Sequence, residues 1–211
     1  LKELQKEFPN ESFIYIGDTA HLPYGNKSKK AIINYSEKIS KYLVNQGVKL
    51  IIIACNTASS VALKSLNLKF EIPIIDVITP IKHTIIQREK ISRIGVIGTS
   101  NTIESNAYYK ILKDVDQNLQ IFQQACPLFV PIIEEGLHED LIAHLAIKKY
   151  LTNLLNHKIQ LLILGCTHYP LIKHIIQQHI PSNIQIIDSA TAVSAYLRQY
   201  LANNKLLCLE K

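Results

Sequence analysis

Apolar residues gather in short unbroken runs, separated by stretches in which they recur every three or four positions. Two of the runs are long and end alike. Leu50-Ile51-Ile52-Ile53-Ala54 leads into Cys55-Asn56-Thr57, and Leu161-Leu162-Ile163-Leu164-Gly165 leads into Cys166-Thr167-His168. An apolar run bounded by turn chemistry reads as a strand buried on both faces of a parallel sheet. Further strands are expected at Ser12–Gly17, Pro73–Ile78, Arg93–Gly98, Leu119–Gln124, Asn183–Asp188 and, shortest, Lys205–Leu209.

Between them lie helical patterns. Leu1, Leu4 and Phe8 share a face that Pro9-Asn10 ends. Ser28 is a good N-cap for a helix lined by Ile32, Tyr35, Ile39, Tyr42 and Leu43 and closed by Gly47. Asn56-Thr57 caps a helix to about Leu68, and Thr79-Pro80 opens one to about Lys90. Further helices are expected over Ile103–Lys113, Leu137–Asn156, Tyr169–Ile180 and Ser189–Leu201, with Cys126-Pro127 and Pro131 breaking the chain. Strands alternate with helices throughout, so the fold class is α/β with parallel sheets.

The two Cys-ended strands are the one internal repeat. They lie about one small domain's length apart, which predicts two similar subdomains with parallel sheets, related by pseudo-twofold symmetry. A cleft between them would place one thiol on each side, because ligands of open α/β sheets collect beyond the carboxyl ends of the strands. Thr79-Pro80 is the expected crossing point. It assigns residues 1–78 plus 189–211 to the first subdomain and 79–188 to the second.

Composition adds limits. The chain has 211 residues, 47% hydrophobic and 19% charged, ordinary for a globular protein. No apolar run approaches the roughly 20 residues that cross a bilayer. No charged-then-apolar export signal opens the chain, so cytoplasmic, reduced cysteines are expected. Four cysteines without a C-x-x-C pair argue against a structural zinc site. The net charge of +6 comes from scattered lysines, with a single cluster at Lys27, Lys29 and Lys30. It reads as a solvated surface more readily than as a nucleic-acid site. The chain contains no Met and opens on a helix where an α/β chain usually opens on a strand. The expectation is that its natural beginning lies upstream.

The chemistry centres on the thiols. Thiolate is the reactive form of Cys, and a helix N-terminus stabilises it. Either Cys alone reads best as a small buried hydrophobe, but two in equivalent strand-to-helix turns do not. His168, two residues after Cys166, reads either as a structural imidazole or as a proton partner of that thiol. Thr57, Thr99, Thr102, Thr167 and Asn56 can offer hydroxyl, amide and backbone donors to a carboxylate while capping helices. Glu134-Glu135 is either a solvated acid pair or a partner for a His or an ammonium. The chain carries no P-loop, no full dinucleotide fingerprint at Ile94–Thr99 and no Gly-x-Ser-x-Gly elbow.

Taken together, Gly17-Asp18-Thr19-Ala20, Pro23-Tyr24-Gly25, Ala54-Cys55-Asn56-Thr57-Ala58, Gly98-Thr99 with Thr102, Gln124–Pro131 and Gly165-Cys166-Thr167-His168-Tyr169-Pro170 resemble the cofactor-independent aspartate/glutamate racemase family, and within it the glutamate racemases. The resemblance runs nearly end to end. It implies interconversion of L- and D-glutamate without a cofactor or metal, supplying D-glutamate for bacterial peptidoglycan, by a homodimer with no membrane or nucleic-acid partner. It implies that Cys55 takes the α-proton of D-glutamate and Cys166 that of L-glutamate, with His168 assisting Cys166 and Glu134, rather than Glu135, as auxiliary acid. Tyr24, Gly25, Asn56, Thr57, Thr167 and His168 would bind substrate, with Thr99 and Thr102 in support.

Two departures stand out. The family's opening strand and its Asp-Ser-Gly motif are not in this sequence, from which poor activity of the chain as it stands is expected. Asp76 replaces a frequent glycine, with no role assignable from sequence. Two other readings stay open: a related racemase or decarboxylase, and a truncated non-catalytic homologue that regulates a partner such as DNA gyrase.

Overall fold

The computed structural model describes residues 1–88 and 91–208. It contains two parallel sheets. The smaller pairs β1 (Ile51–Ile53) with β2 (Ile74–Asp76). The larger holds β3 (Arg93–Gly98), β4 (Gln120–Ala125), β5 (Leu161–Gly165) and β6 (Gln185–Asp188), in the order β4-β3-β5-β6. The helices are α1 (Lys2–Glu7), α2 (Lys29–Asn45), α3 (Asn56–Lys69), α4 (Ile81–Ile86), α5 (Ser100–Glu104), α6 (Ala107–Val115), α7 (Phe129–Glu134), α8 (Leu141–Asn156), α9 (Lys173–Gln178) and α10 (Ser189–Asn203). The two α/β layers expected from the repeat are present, but they are unequal.

Every residue of β5 is buried, which is why its sequence is apolar without alternation. Successive side chains of the strands still point to opposite faces. Ile97, Leu162 and Leu164 join the core under α7, α8 and α9. Ile94, Val96, Leu161 and Ile163 join the core under α4 and α6. Each such fully buried aliphatic side chain contributes about 1.5–3 kcal/mol. In the smaller layer, Ile53 packs on Ile32 of α2 and on Ala62 and Leu66 of α3. On the opposite face Ile75 packs with Phe8, Leu197 and Leu201. Helix α10 therefore serves both layers, since its Ala192 belongs to the core of the large sheet.

The order β4-β3-β5-β6 has a functional consequence. The chain leaves β3 toward one edge and leaves β5 toward the other, so β3 and β5 flank a switch point where a crevice opens beyond the strand ends. Gly98 pairs with Ala125 on one side and Gly165 on the other. The three strands thus end level, and Thr99, Cys126 and Cys166 emerge together.

Several expected elements differ. Ser12–Gly17 forms no strand. Its residues favour β structure, but neither described sheet pairs with it, and Ile14 and Tyr15 remain 50% and 68% exposed. Lys205–Cys208 likewise forms no strand, and Leu209 lies outside the described residues, as does Lys90 at the expected end of α4. The helix expected over Ile103–Lys113 is two helices, parted at Asn106 in the left-handed region (φ 55°). Pro131 does not break the chain. It sits in the first turn of α7, where a missing N–H costs no helical bond. The helices expected from Leu137 and Tyr169 each begin with a 3-10 turn before α8 and α9.

Asp76 acquires a role. Its Oδ1 accepts from the backbone N–H groups of Ile78 (2.6 Å) and Thr79 (2.8 Å). It secures the chain where it passes from the small layer to α4, which Pro80 opens without a side-chain cap of its own.

Candidate active site

Cys55 lies two residues beyond β1 and is itself the N-cap of α3, with Sγ accepting from the Ala58 N–H at 3.5 Å. The cap thus lies one residue before the Asn56-Thr57 pair expected from sequence. Cys166 follows β5 at the switch point. Both line one cavity of about 410 Å³, together with Tyr24, Gly25, Asn56, Thr57, Thr99, Glu134, Thr167 and His168. Thr102 stands behind this wall, fully buried.

The two thiols sit in unlike surroundings. Burial pushes the Cys55 thiol up, opposed by the N–H groups of Ala58 and Thr57 and by the Thr57 hydroxyl. These donors belong to the N-terminus of a long helix, which favours the anion. Burial pushes Cys166 to about 12, opposed by the N–H groups of His168 and Tyr169 and reinforced by the charge of Cys55. Cys166 therefore senses the ionisation of Cys55.

Cys166 Sγ lies 3.9 Å from His168 Nδ1, and His168 Nε2 contacts Glu134 Oε1. An ionised carboxylate only accepts hydrogen bonds, so the ring proton belongs on Nε2 and the Nδ1 lone pair faces the thiol. Glu135 lies just past the end of α7, exposed.

A second polar group crosses from one layer to the other. Thr57 and Thr99 hydroxyls meet at 2.8 Å, Thr99 and Thr102 at 3.0 Å, and Thr57 and Thr102 at 3.5 Å. The Thr99 hydroxyl also caps α5. Asn56 is held at both ends of its amide. Oδ1 accepts from the Tyr108 hydroxyl at 2.6 Å, and Nδ2 donates to Ser189 Oγ at 3.4 Å. These bonds fix the orientation of the amide and leave it one further N–H and one further lone pair, and Asn56 lines the cavity.

On the Cys55 side, Tyr24 donates to Asp18 Oδ2 at 2.6 Å, and His21 Nδ1 meets Asp18 Oδ1 at 2.7 Å. Burial of Asp18 works to raise its pKa, but these two bonds outweigh it and hold the carboxyl below the usual range. Burial pushes the Tyr24 hydroxyl well up, reinforced by Asp18 and by Cys55. From sequence Asp18 is one polar residue of a motif with no role of its own, and Tyr108 and Ser189 are hidden in ordinary helical pattern. The signal for Asp18 was its place in a loop of turn formers beside Pro23-Tyr24-Gly25.

The chain matches the family model described as Asp/Glu/Hydantoin racemase over residues 2–197. It belongs to this racemase family. The glutamate racemase of Sulfurihydrogenibium sp. (strain YO3AOP1) is 47% identical over 203 residues, 96% of this chain and 78% of that relative. The glutamate racemase of Francisella tularensis, solved in complex with D-glutamate, superimposes with a TM-score of 0.92 at 40% identity, covering 100% of this chain and 78% of that one. A glutamate racemase isoform from Bacillus anthracis gives a TM-score of 0.94 at 34% identity, covering 99% and 79%. Residues of both α/β layers of this chain line its cavity. Among the described residues no helix is long and apolar enough to cross a membrane, and no group of three or more His, Cys, Asp and Glu side chains could hold a metal ion.

The raised pKa of Cys166 carries a stability consequence. The folded state holds this proton more tightly than the unfolded chain does. The contribution is complete below the unfolded thiol value near 8.5 and is lost as pH rises toward about 12. Between pH 8.5 and 10.5 the stability of the native protein should therefore fall relative to Cys166→Ala by about 2 kcal/mol. Urea midpoints of both proteins across that range measure it. A constant difference between them would show that the thiol is not buried as described.

Proposed function

We propose that the chain racemises glutamate by moving one proton between two thiols through the substrate's α-carbon. The observation that carries this reading is the placement of Cys55 and Cys166 on one cavity, in a chain whose relatives are glutamate racemases.

In one direction the Cys55 thiolate removes the α-hydrogen of D-glutamate as a proton, and the electron pair remains on the α-carbon and its carboxylate. The Cys166 thiol then delivers its own proton to the opposite face, which gives L-glutamate and a Cys166 thiolate. The reverse reaction exchanges the roles. The α-hydrogen is a very weak acid, so the base must be strong and the developing charge must be met. Burial makes each thiolate a strong base. The retained ammonium of the substrate and donors on its carboxylate stabilise the carbanion, most effectively where water is excluded. Thr57, Thr99 and Thr167 supply hydroxyls, with Tyr24 and Gly25 completing the wall and Thr102 holding Thr99. Asn56, oriented by Tyr108 and Ser189, adds the remaining N–H of its amide.

His168 completes the Cys166 half. Its Nδ1 can take the thiol proton, and Glu134 stabilises the imidazolium that forms. Cys55 relies instead on the N-terminus of α3 and on Thr57. The reading makes the enzyme a cytoplasmic homodimer that supplies D-glutamate for peptidoglycan. A non-catalytic regulator has no use for two matched thiols facing one cavity, and family membership weighs against it.

Incubation of L-glutamate with the protein in deuterated water tests the reaction. The circular dichroism of the amino acid should decay to zero while deuterium appears at Cα. Decay without deuterium, or no decay for glutamate alongside decay for another amino acid, overturns the assignment.

A further inference from the structure

Asn101 lies in α5, two residues after the capping Thr99. Asn is a poor helix former, and this helix already has its cap. Its side chain is used elsewhere. Nδ2 donates toward the carbonyls of Tyr24 (3.3 Å), Gly25 (3.1 Å) and Lys27 (2.9 Å). One amide from the large layer thus gathers three carbonyls of a single turn in the small layer. That turn is the 3-10 segment Tyr24–Asn26, which carries the Tyr24 and Gly25 walls of the cavity.

The seam is tight at this point. A Cβ built on Gly25 would come within 2.9 Å of Thr99 Cβ and Cγ2, so the turn lies flat against Thr99. The Thr99 hydroxyl in turn meets Thr57 at 2.8 Å, next to Cys55. Any shift of the turn reaches both the Tyr24–Asp18 bond and the threonine hydroxyls.

We propose that Asn101 is a positioning residue for the reaction: its side-chain amide latches the Tyr24–Lys27 turn to α5 and so fixes the Tyr24–Gly25 wall against the substrate. The inference rests on the racemase reading above, and it assigns Asn101 to substrate binding rather than to proton transfer. The latch holds the wall but touches neither sulfur.

Asn101→Ala removes the donor, and Asn101→Asp replaces it with an acceptor that faces three carbonyls. In Asn101→Ala, KM for L-glutamate should rise about tenfold, equivalent to about 1.4 kcal/mol, with kcat within about threefold. In Asn101→Asp the rise should be larger. Asn101→Gln, which keeps the amide, should recover part of the loss. The Lys27 amide, bonded to the Tyr24 carbonyl at 3.1 Å, reports the latch directly by hydrogen exchange. It should exchange about tenfold faster in the Ala and Asp variants, while amides of β3 and β5 keep their native protection. Unchanged Lys27 exchange with unchanged KM in both variants overturns the latch. A fall in kcat at constant KM overturns its assignment to binding. If the native protein does not racemise glutamate, that reading fails on its own, and the exchange measurement still decides the latch.

Discussion

Cys55→Ser and Cys166→Ser are each expected to lose racemisation in both directions, by about 10³-fold or more in kcat/KM. A serine hydroxyl is far less acidic than a thiol, so neither its alkoxide nor its easy proton donation is available to the weakly acidic α-carbon. The loss must appear with L- and D-glutamate alike, because each direction uses one sulfur as base and the other as acid. For the same reason the two losses should not add. Once one proton carrier is gone the second has no productive partner, so the double variant should resemble the worse single variant. The cause differs from one thiol to the other and leaves an isotopic signature. Residual exchange of the α-hydrogen with solvent, without inversion, should be confined to D-glutamate in Cys166→Ser and to L-glutamate in Cys55→Ser. Circular dichroism with both enantiomers, followed by mass analysis in deuterated water, reads all three results. Racemisation near the native rate in either variant ends the two-thiol mechanism.

The sequence made β3 legible to the residue. After Arg93 its residues are uncharged and uninterrupted to Gly98 and closed by a hydroxyl-rich turn, and it lies between two partners. The thiol pair was legible for the same reason, since a buried strand followed by a helix start leaves its last residue at the sheet's carboxyl edge. Ser12–Gly17 was misread because its Phe-Ile-Tyr-Ile core satisfies β propensity, which describes a side chain's fit to a pleated surface and cannot supply a neighbouring strand. The inequality of the two sheets is hidden for the same cause: strand count depends on pairing, not on local pattern. Asn106 concealed the division between α5 and α6, because a single left-handed residue interrupts a helix without altering its apolar spacing. Asp18 and Asn101 were the hardest to see. Both are typical of turns and caps, and only the folded chain shows Asp18 under Tyr24 and Asn101 reaching across 74 to 77 positions to one turn.

Gly165→Ala should cost stability and activity together. Gly165 is the last residue of β5, paired with Gly98 of β3 and directly before Cys166. A Cβ there would lie 2.7 Å from the Ile97 carbonyl oxygen and 2.9 Å from Tyr108 Cε2. The carbonyl belongs to the neighbouring strand of a central ladder and cannot swing aside. The Tyr108 ring is fully buried, and its hydroxyl is bonded to Asn56. Strand and ring must both shift. Overpacking of this kind costs about 1–3 kcal/mol, read as a fall in the unfolding free energy in urea. Catalysis should fall further than folding. A displacement of about 1 Å at a reacting group costs on the order of 10²-fold, and here it moves Cys166 and the Asn56–Tyr108 bond at once. Gly98→Ala is the graded control, because its Cβ would meet the Gly165 carbonyl, Ile103 and Thr102 at 3.3 Å, a contact that small adjustments relieve. The expected order in both stability and kcat/KM is native, then Gly98→Ala, then Gly165→Ala. Equal values for Gly165→Ala and the native protein would show that close packing at the end of β5 does not set the position of the second thiol.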